Sequence, residues 1–377
     1  MDYGKKALRQ HKRLGGKISM GLKDDLSTQD KLSTYYTPGV AAVSSFAASH
    51  PKQAREYTWL NNSVAVVSDG SAVLGLGNIG PYGALPVMEG KAMLFKHFAD
   101  IDAVPIVLDV HSEDEIVQAV RAIAPSFGAV NLEDIAAPQC FAIEERLKKA
   151  LNIPVMHDDQ HGTAVVVLAG LINALKITGK RLGDCKIVIV GAGAAGTAVA
   201  KLLNLYAKPE ILVLDSRGII SKSRADLNAS KKQFLKFTNK SGANGSLDDA
   251  LQGADIFIGL SKPDLLDAAK IKKMAERPLI FAMANPDPEI KPDLAKKAGA
   301  AVVATGRSDF PNQVNNALAF PGIFRGALDN GIGKITDKHK IAAAEAMASL
   351  VAKPTAEKIL PTVLDKRLVP AIAKKIV

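Results

Sequence analysis

The chain has 377 residues, of which 47% are hydrophobic and 23% charged, a composition typical of a globular protein with two domains. Its net charge of +10 comes from scattered Lys and Arg residues, so we expect no nucleic acid partner and a basic surface that favours small anions. The chain has only two cysteines, which argues against a disulfide framework and favours a cytoplasmic protein. Its N-terminal segment has no apolar core, which argues against a secretory signal, and the absence of a long uncharged apolar stretch argues against a membrane span.

Residues 1–161 predict an α/β domain. Its first 56 residues are typical of helices and loops, with a turn at Thr37–Gly39. Short aliphatic runs then predict strands at 63–70, 102–110 and 128–134. Between the last two, residues 113–125 carry apolar side chains at helical spacing. This alternation of strand, helix and strand is typical of an α/β domain.

Residues 162–377 predict a second domain. A helix over 157–179, ending at Gly179, is expected to connect the two domains. After it the chain alternates regularly between helices and predicted strands at 186–190, 210–214, 255–259, 278–282 and 301–305. This pattern predicts a doubly wound sheet of the Rossmann type, followed by a helical tail.

The pattern G-x-G-x-x-G occurs twice, and its context separates a dinucleotide-binding turn from a structural one. The second copy follows the strand at 186–190, opens a helix and precedes a strand that ends in an acid. The glycines allow the backbone to approach a pyrophosphate, the helix N-terminus favours its charge, and the acid binds the ribose. We therefore predict a cofactor site formed by Gly191, Ala192, Gly193, Ala194, Ala195, Gly196 and Asp215.

The first copy, Gly75–Gly80, runs into Pro81 and Pro86, which argue against a helix at that point. We expect a tight turn near a ligand there. At the second copy, the Asp215 carboxylate would accept a hydrogen bond from a ribose 2′-hydroxyl and repel a 2′-phosphate, which favours NAD. Arg217 is placed to pair with such a phosphate, so NADP stays open.

Carboxylates gather ahead of the second domain. Glu133 and Asp134 end a strand-like run, and Asp158 and Asp159 precede the connecting helix. Such oxygen ligands suit Mg²⁺ or Mn²⁺, although Asp158 and Asp159 could equally cap the helix. A zinc site at His157 and His161 is disfavoured because the glutamate of H-E-x-x-H is missing.

Two further residues allow both a structural and a catalytic interpretation. Lys91 lies in an apolar, helix-like segment; it is either a surface lysine with a buried stem or a buried base with a lowered pKa. Tyr36, just before the turn at Thr37–Gly39, is either a packed aromatic side chain or a general acid.

Taken together, these segments resemble the motifs of malic enzyme, and more narrowly those of the short bacterial and archaeal type. The resemblance covers nearly the whole chain in the same order. It rests on YTPGV (36–40), DGSAVLGLGNIGPYGALPVMEGK (69–91), NLEDI (131–135), HDDQHGTA (157–164), ANPDPEI (284–290) and FPNQVNNALAFPG (310–322).

The resemblance implies oxidative decarboxylation of L-malate to pyruvate and CO₂ with NAD(P) and a divalent metal. It implies that Tyr36 is the general acid, Lys91 the general base and Asp158 the acid paired with the lysine. The metal ligands would be Glu133, Asp134 and Asp159. Asn285 and Asn316 match the residues that hold malate, and Asn285 also borders the cofactor. On sequence alone, Asn285 could instead form an Asn-Pro turn and Asn316 a helix cap.

One position departs from the family. The large animal-type enzymes carry an arginine ahead of L-G-L-G that holds a malate carboxylate, and here that position is Ala72. Another donor must replace it: the glycine-turn backbone, an asparagine or a partner subunit. Family members are oligomers, so we expect a homodimer with a possible shared site. An oxaloacetate decarboxylase or a malolactic-type lyase with the same site residues is the alternative.

Overall fold

We describe the protein from a computed structural model that covers residues 3–73, 76–110 and 112–377. Four short helices come first: α1 (Tyr3–Leu14), α2 (Gln29–Tyr35), α3 (Val40–Ser49) and α4 (Ala54–Tyr57). A parallel four-stranded sheet of order β2-β1-β3-β4 follows. Its elements are β1 (Ser63–Ser68), α5 (Gly80–Ala99), β2 (Asp102–Val107), α6 (Glu113–Ile123), β3 (Ala129–Leu132), α7 (Gln139–Ala150) and β4 (Val155–His157).

Helix α8 (Asp158–Thr178) leads into a six-stranded sheet of order β10-β9-β8-β5-β6-β7, in which only β7 is antiparallel to its neighbour among the described strands. The elements of this half are β5 (Lys186–Val190), α9 (Ala194–Ala207), β6 (Glu210–Asp215), β7 (Gly218–Ile219), α10 (Ala229–Phe234), α11 (Leu247–Leu251), β8 (Ile256–Gly259), α12 (Ala268–Ile271), β9 (Leu279–Ala282), α13 (Pro292–Lys297), β10 (Val302–Thr305), α14 (Phe320–Asp329), α15 (Asp337–Ser349) and α16 (Leu368–Ala373). The predicted fold class, with a doubly wound second sheet and a helical tail, is confirmed.

Both sheets are buried because their strands are short aliphatic runs that helices cover. Every residue of β1 is buried, and four of the five residues of β5 are. Local signals set the helix bounds. Ser112 and Glu115 form a capping box at the start of α6, and α8 stops at Gly179, which has a left-handed φ of 73°.

Helix α8 is the central helix of the molecule. Its residues Val165–Leu168 are fully buried, and they belong to one apolar cluster with side chains from both sheets and from α14 and α15. Among the described residues, α8 is the one helix that is long and apolar enough to cross a membrane, and 72% of its apolar window is buried inside the protein. Its apolar character is accounted for by the core that it forms.

One expectation about the first glycine-rich turn fails for a local reason. Helix α5 begins at Gly80, directly after the first glycine-rich turn, although Pro81 and Pro86 argued against it. Pro81 occupies the first turn, where a missing backbone N–H breaks no helical bond, while Pro86 lies inside the helix. Lys17 Nζ donates to the Pro86 carbonyl at 2.6 Å. Gly75, the first glycine of that turn, lies outside the described residues.

Candidate active site

The carboxyl ends of neighbouring strands bring the predicted acidic residues to one edge of the first sheet. Glu133 and Asp134 directly follow β3, while Asp158 and Asp159 open α8 directly after β4. Strands β3 and β4 are neighbours, so their ends meet. Lys91 comes to the same edge from α5, which packs against β1 and β2.

Lys91 is buried, with 6% of its surface exposed, so it is not a snorkelling surface lysine. Its Nζ lies 2.6 Å from Asp158 Oδ2 and 2.8 Å from Glu133 Oε1. The Phe320 ring lies on another side, with its centroid 4.2 Å from Nζ, which adds a cation–π contact. The ammonium group is therefore held between two carboxylates and an aromatic face.

The pKa of Lys91 is shifted in the opposite direction to the one expected for a buried base. Burial is the largest influence on the pKa of Lys91 and lowers it, but Asp158, Glu133 and Asp159 together raise it above its ordinary value. A lowered pKa was the condition for a free base, and this structure shows the opposite. The reason is that three acids, rather than Asp158 alone, surround the amine.

Three carboxylates form a cluster beside Lys91. Glu133, Asp134 and Asp159 each offer an oxygen, and these atoms all lie within 4.8 Å of one another. Asp159 Oδ2 accepts a 2.8 Å hydrogen bond from the backbone N of Asp134, and Asn131 Nδ2 donates to Glu133 Oε2 at 2.9 Å. Burial raises the pKa of Glu133 well above its ordinary range.

This donor set fits a hard divalent cation. The cluster offers only carboxylate oxygens, the ligands that Mg²⁺ and Mn²⁺ prefer. The buried Asp158 Oδ1 beside it has no hydrogen-bond partner among the described residues. Buried oxygens without donors are costly, and a cation or substrate would satisfy them.

The neighbouring histidines, His157 and His161, lie outside the carboxylate cluster. His161 Nε2 lies 2.9 Å from Glu144 Oε2, and burial lowers the pKa of His161 to about 4. His157 is fully buried on β4. Within the described residues, the one group of side chains placed to hold a metal contains neither histidine.

Of the three predicted catalytic residues, Tyr36 is the one that the structure does not bring to this cluster. It caps α2, is 67% exposed, and its hydroxyl has no hydrogen-bond partner among the described residues. Its packed-aromatic interpretation fails because the ring is solvent-exposed. A general acid must reach substrate, so Tyr36 can serve this chain's site only after a movement, or serve the site of another copy.

The second glycine-rich turn has the geometry of a tight βα turn. Gly191 follows β5 with a φ of 120°, and α9 begins at Ala194. A Cβ on Gly196 would lie 1.8 Å from the Gly191 carbonyl oxygen, so the helix approaches the turn too closely for any side chain. Around Gly193, by contrast, no heavy atom lies within 4 Å of a Cβ position.

Asp215 ends β6, and its carboxylate binds two cationic side chains that the sequence did not indicate. Its carboxylate accepts bonds from Arg224 at 2.8 and 2.9 Å and from Lys231 Nζ at 2.6 Å. Burial alone would raise the pKa of Asp215, but Arg224 and Lys231 lower it to about 2. Arg217, the residue predicted to receive a 2′-phosphate, pairs with Asp226 at 3.0 Å instead.

The two asparagines lie in different segments, Asn285 in the loop after β9 and Asn316 at the start of a short 3-10 helix. Asn285 follows β9, and its Nδ2 would be 3.2 Å from a Cβ on Gly306. Asn316 lies close to the start of α8, since a Cβ on Gly162 would be 2.9 Å from Asn316 Cβ. The capping role suggested for Asn316 belongs to Asn315, whose side chain accepts from the Ala317 N–H.

Three residues at these sites were not indicated by the sequence: Phe320, which contacts Lys91, Arg224, which contacts Asp215, and Glu144, which contacts His157 and His161. Phe320 lies far from Lys91 in the chain, and no local pattern reveals that contact. Glu144 nevertheless left a signal, because it stands within the buried stripe of α7 that contains Cys140, Ile143 and Leu147. A carboxylate buried among apolar side chains needs hydrogen-bond or ion-pair partners, so its position in this stripe indicates a specific contact.

Two family models match the chain. "Malic enzyme, N-terminal domain" matches residues 15–115 and 111–148, and "Malic enzyme, NAD binding domain" matches residues 160–377. The two matches together span most of the chain.

Individual relatives agree with these matches. The "Bifunctional malic/malolactic enzyme" of Bacillus subtilis is 53% identical over 100% of this chain and 92% of its own length. The "NAD-dependent malic enzyme" of Geobacillus stearothermophilus is 52% identical over 97% of this chain and 76% of its own length. The crystal structure of the NAD-dependent malic enzyme from Thermotoga maritima superimposes with a TM-score of 0.95 at 50% identity, covering 98% of each chain.

Proposed function

This chain belongs to the malic enzyme family, and we propose that it oxidatively decarboxylates L-malate to pyruvate and CO₂ with reduction of NAD or NADP and with a bound divalent cation. The name of the NAD-dependent malic enzyme among its relatives supports this reaction. The matches to both the N-terminal and the NAD-binding family models support it as well. We further propose to divide the chain between residues 161 and 162, inside α8, into a malate- and metal-binding part and a cofactor-binding part.

The observation that carries this proposal is the buried contact of Lys91 with Asp158 beside three further carboxylates. A buried amine next to an oxygen cluster combines a proton-transfer group with a cation site, the two elements that the reaction needs. We propose Lys91 as the general base, with Asp158 holding its Nζ at 2.6 Å. Tyr36 is the proposed general acid.

Each proposed group has a defined task. When bound, the cation would polarise the oxygen at C2 as a Lewis acid and the nicotinamide would accept the hydride. Lys91 takes the proton of the C2 hydroxyl, and Tyr36 delivers a proton to C3 after CO₂ has left. Because the Lys91 pKa is raised in this structure, its role as a base requires that bound ligands change the balance of charge around Nζ.

We propose Glu133, Asp134 and Asp159 as the residues that hold Mg²⁺ or Mn²⁺. Their oxygens lie within 4.8 Å of one another, which supports a shared ion. Asn285 and Asn316 are proposed to bind malate. Ala72 offers no cation to a malate carboxylate, but its backbone N donates to the Asp134 carbonyl at 3.0 Å, so the loop that would carry the missing arginine borders the cluster.

We propose that the dinucleotide lies on the turn Gly191–Gly196, with its pyrophosphate at the N-terminus of α9 and Asp215 near the ribose. The open space at Gly193 supports this placement. The Asp215 carboxylate still favours NAD. Arg224 and Lys231 neutralise that carboxylate, however, and they are better placed than Arg217 to make NADP acceptable.

A malolactic-type activity is the second candidate. The observation that favours it is the name of the relative from Bacillus subtilis, a bifunctional malic/malolactic enzyme. Such an enzyme would keep its cofactor and release lactate from the same site. An oxaloacetate decarboxylase that uses this site is the remaining alternative.

We also propose that two copies form a homodimer that shares its sites. Helices α1 to α4 contain no buried residue, and large apolar side chains are exposed along this segment and on α5: Leu8, Leu14, Leu32, Tyr35, Tyr36, Tyr82, Leu85 and Met93. Exposed apolar surface of this extent marks interaction sites. A second copy would cover it and explain how the exposed Tyr36 reaches substrate. A cytoplasmic location remains our expectation.

Steady-state kinetics test the proposed function. We expect malate to give pyruvate and reduced cofactor in equal amounts, only with Mg²⁺ or Mn²⁺ present, and NAD and NADP should be compared under both metals. Lactate without net reduced cofactor would identify the malolactic alternative.

A pair of lysine variants tests the site itself. Lys91→Met should abolish turnover while NAD still binds, because the proton acceptor is lost and the cofactor turn is untouched. Lys96→Met, which changes a half-exposed lysine on the same helix, is the control and should stay active. Appreciable turnover by Lys91→Met would remove Lys91 as the base.

A further inference from the structure

Glu144 is a buried carboxylate outside the proposed catalytic and metal-binding residues. It lies on α7 and is 3% exposed. Its Oε1 accepts from the backbone N of His157 at 3.0 Å and lies 2.9 Å from Lys148 Nζ. Its Oε2 lies 2.9 Å from His161 Nε2. Three donors, from β4, α7 and α8, therefore converge on one carboxylate.

The partners of Glu144 flank the residues of the proposed site. His157 ends β4 and His161 lies in the first turn of α8, while Asp158 and Asp159 lie between them. One carboxylate thus fixes the backbone before the two acids and a side chain after them. His157 is also the N-cap of α8 and makes no side-chain capping bond, so Glu144 supplies from another helix an anion at this helix N-terminus.

The two acids in this segment have strict geometric demands. Asp158 Oδ2 lies 2.6 Å from Lys91 Nζ, and Asp159 Oδ2 accepts the 2.8 Å bond from the Asp134 backbone N–H. A small rotation of the first turn of α8 would move both carboxylates. Burial alone would raise the pKa of Glu144, but His161, and after it the ammonium groups of Lys148 and of the buried Lys340, hold that pKa well below its ordinary value. Glu144 is therefore an acceptor at neutral pH.

We propose that Glu144 is a positioning residue for the divalent-cation site: by binding His157 and His161 it sets the orientation of Asp158 and Asp159. The inference rests on the proposed function, because it assumes that Asp159 helps to hold a cation. Residues that orient metal ligands commonly change metal affinity about 10- to 100-fold when they are replaced. A role confined to folding would instead lower stability without changing the affinity of the folded protein.

Manganese binding separates these two roles. Free Mn²⁺ would be measured by electron paramagnetic resonance during titration of the wild type, Glu144→Ala, Glu144→Gln and Glu145→Gln, with the metal alone and no substrate. Glu145 is the matched control: it is the next residue on α7, it is exposed, and it approaches the same Lys148 at 3.8 Å. Circular dichroism and unfolding in the presence of a chelator report whether each variant is folded without metal.

We expect Glu144→Ala to weaken Mn²⁺ binding about 10-fold or more. Glu144→Gln should lose less, since its amide oxygen can still accept from the His157 N–H, and Glu145→Gln should bind as the wild type does. In turnover assays the KM for Mn²⁺ should rise in Glu144→Gln, while kcat at saturating Mn²⁺ changes less.

The possible failures are distinct. If the wild type binds no Mn²⁺, the metal site of the proposed function is wrong. If the wild type binds Mn²⁺ and the folded Glu144 variants bind it equally well, the positioning role is overturned while the proposed function stands. Should Glu144→Ala fail to fold, Glu144→Gln decides, and unchanged affinity and KM in that variant would refute the inference.

Discussion

The glycine turn after β5 contains two glycines whose replacement by alanine should have different consequences. A Cβ on Gly196 would lie 1.8 Å from the carbonyl oxygen of Gly191 and 3.0 Å from its carbonyl carbon. At Gly193 the same atom would meet nothing within 4 Å, and the φ of −87° suits an alanine. We predict that Gly196→Ala destabilises the protein and that Gly193→Ala does not.

The structure gives the magnitude of the first effect. An ordinary contact needs about 3.4 Å, so α9 and the turn must separate by roughly 1.6 Å to admit the methyl group. The atom that must yield is backbone rather than the end of a flexible side chain, and α9 packs closely against the core helix α8. Overpacking of this kind costs about 1–3 kcal/mol of the free energy of unfolding.

The second effect concerns the ligand. In Gly193→Ala the methyl group points into the open space where we place the pyrophosphate, so NAD affinity should fall roughly tenfold, equivalent to about 1.4 kcal/mol. Urea unfolding without cofactor measures stability, and NADH fluorescence titration measures affinity. Wild-type stability in Gly196→Ala would refute the close approach of α9. Wild-type NADH affinity in Gly193→Ala would refute the proposed position of the cofactor.

Three further changes test other parts of the molecule. Tyr36→Phe should slow the formation of pyruvate from oxaloacetate more than the reduction of oxaloacetate to malate; an equal fall in both rates would assign Tyr36 another role. Gly162→Ala should lower kcat at least about tenfold with unchanged NADH affinity, because its methyl group would lie 2.0 Å from Asp158 Oδ1; wild-type kcat would contradict that geometry. Burial alone would raise the pKa of Asp337, but Lys340 and Lys201 lower it to about 2. Asp337→Asn should therefore reduce stability at neutral pH, with the difference from wild type shrinking as the pH falls below about 4, as urea titrations between pH 7 and pH 3 would show.

The second half of the chain was predictable because its signals are local. The predicted strand at 186–190 has the same bounds as β5, and the predicted strand at 301–305 differs from β10 by one residue. Fully buried parallel strands appear in sequence as short aliphatic runs, and the glycines mark the turn between them. By contrast, β4 has three residues and β7 has two, which is too short to establish a pattern.

The partners of the site residues were not predictable because they depend on long-range packing. Asp215 is bound by Arg224 and Lys231, whereas the sequence drew attention to Arg217, the nearest cation in the chain. Proximity in sequence is a poor guide here because β7 and the loop after it turn the later residues back onto the end of β6. Arg217 itself is directed to Asp226.

Lys91 shows most clearly that the direction of a pKa shift cannot be predicted without the tertiary structure. The family resemblance pairs Lys91 with Asp158 alone, whereas a second acid, Glu133, lies 42 positions away in the chain but 2.8 Å away in space. Glu133 Oε1 contacts Lys91 and Glu133 Oε2 accepts from Asn131, so both oxygens of this carboxylate already have partners. A cation held by the cluster would share the Glu133 carboxylate with Lys91. The raised pKa of Lys91 belongs to the arrangement in which the lysine holds Glu133, and that arrangement was invisible in the sequence.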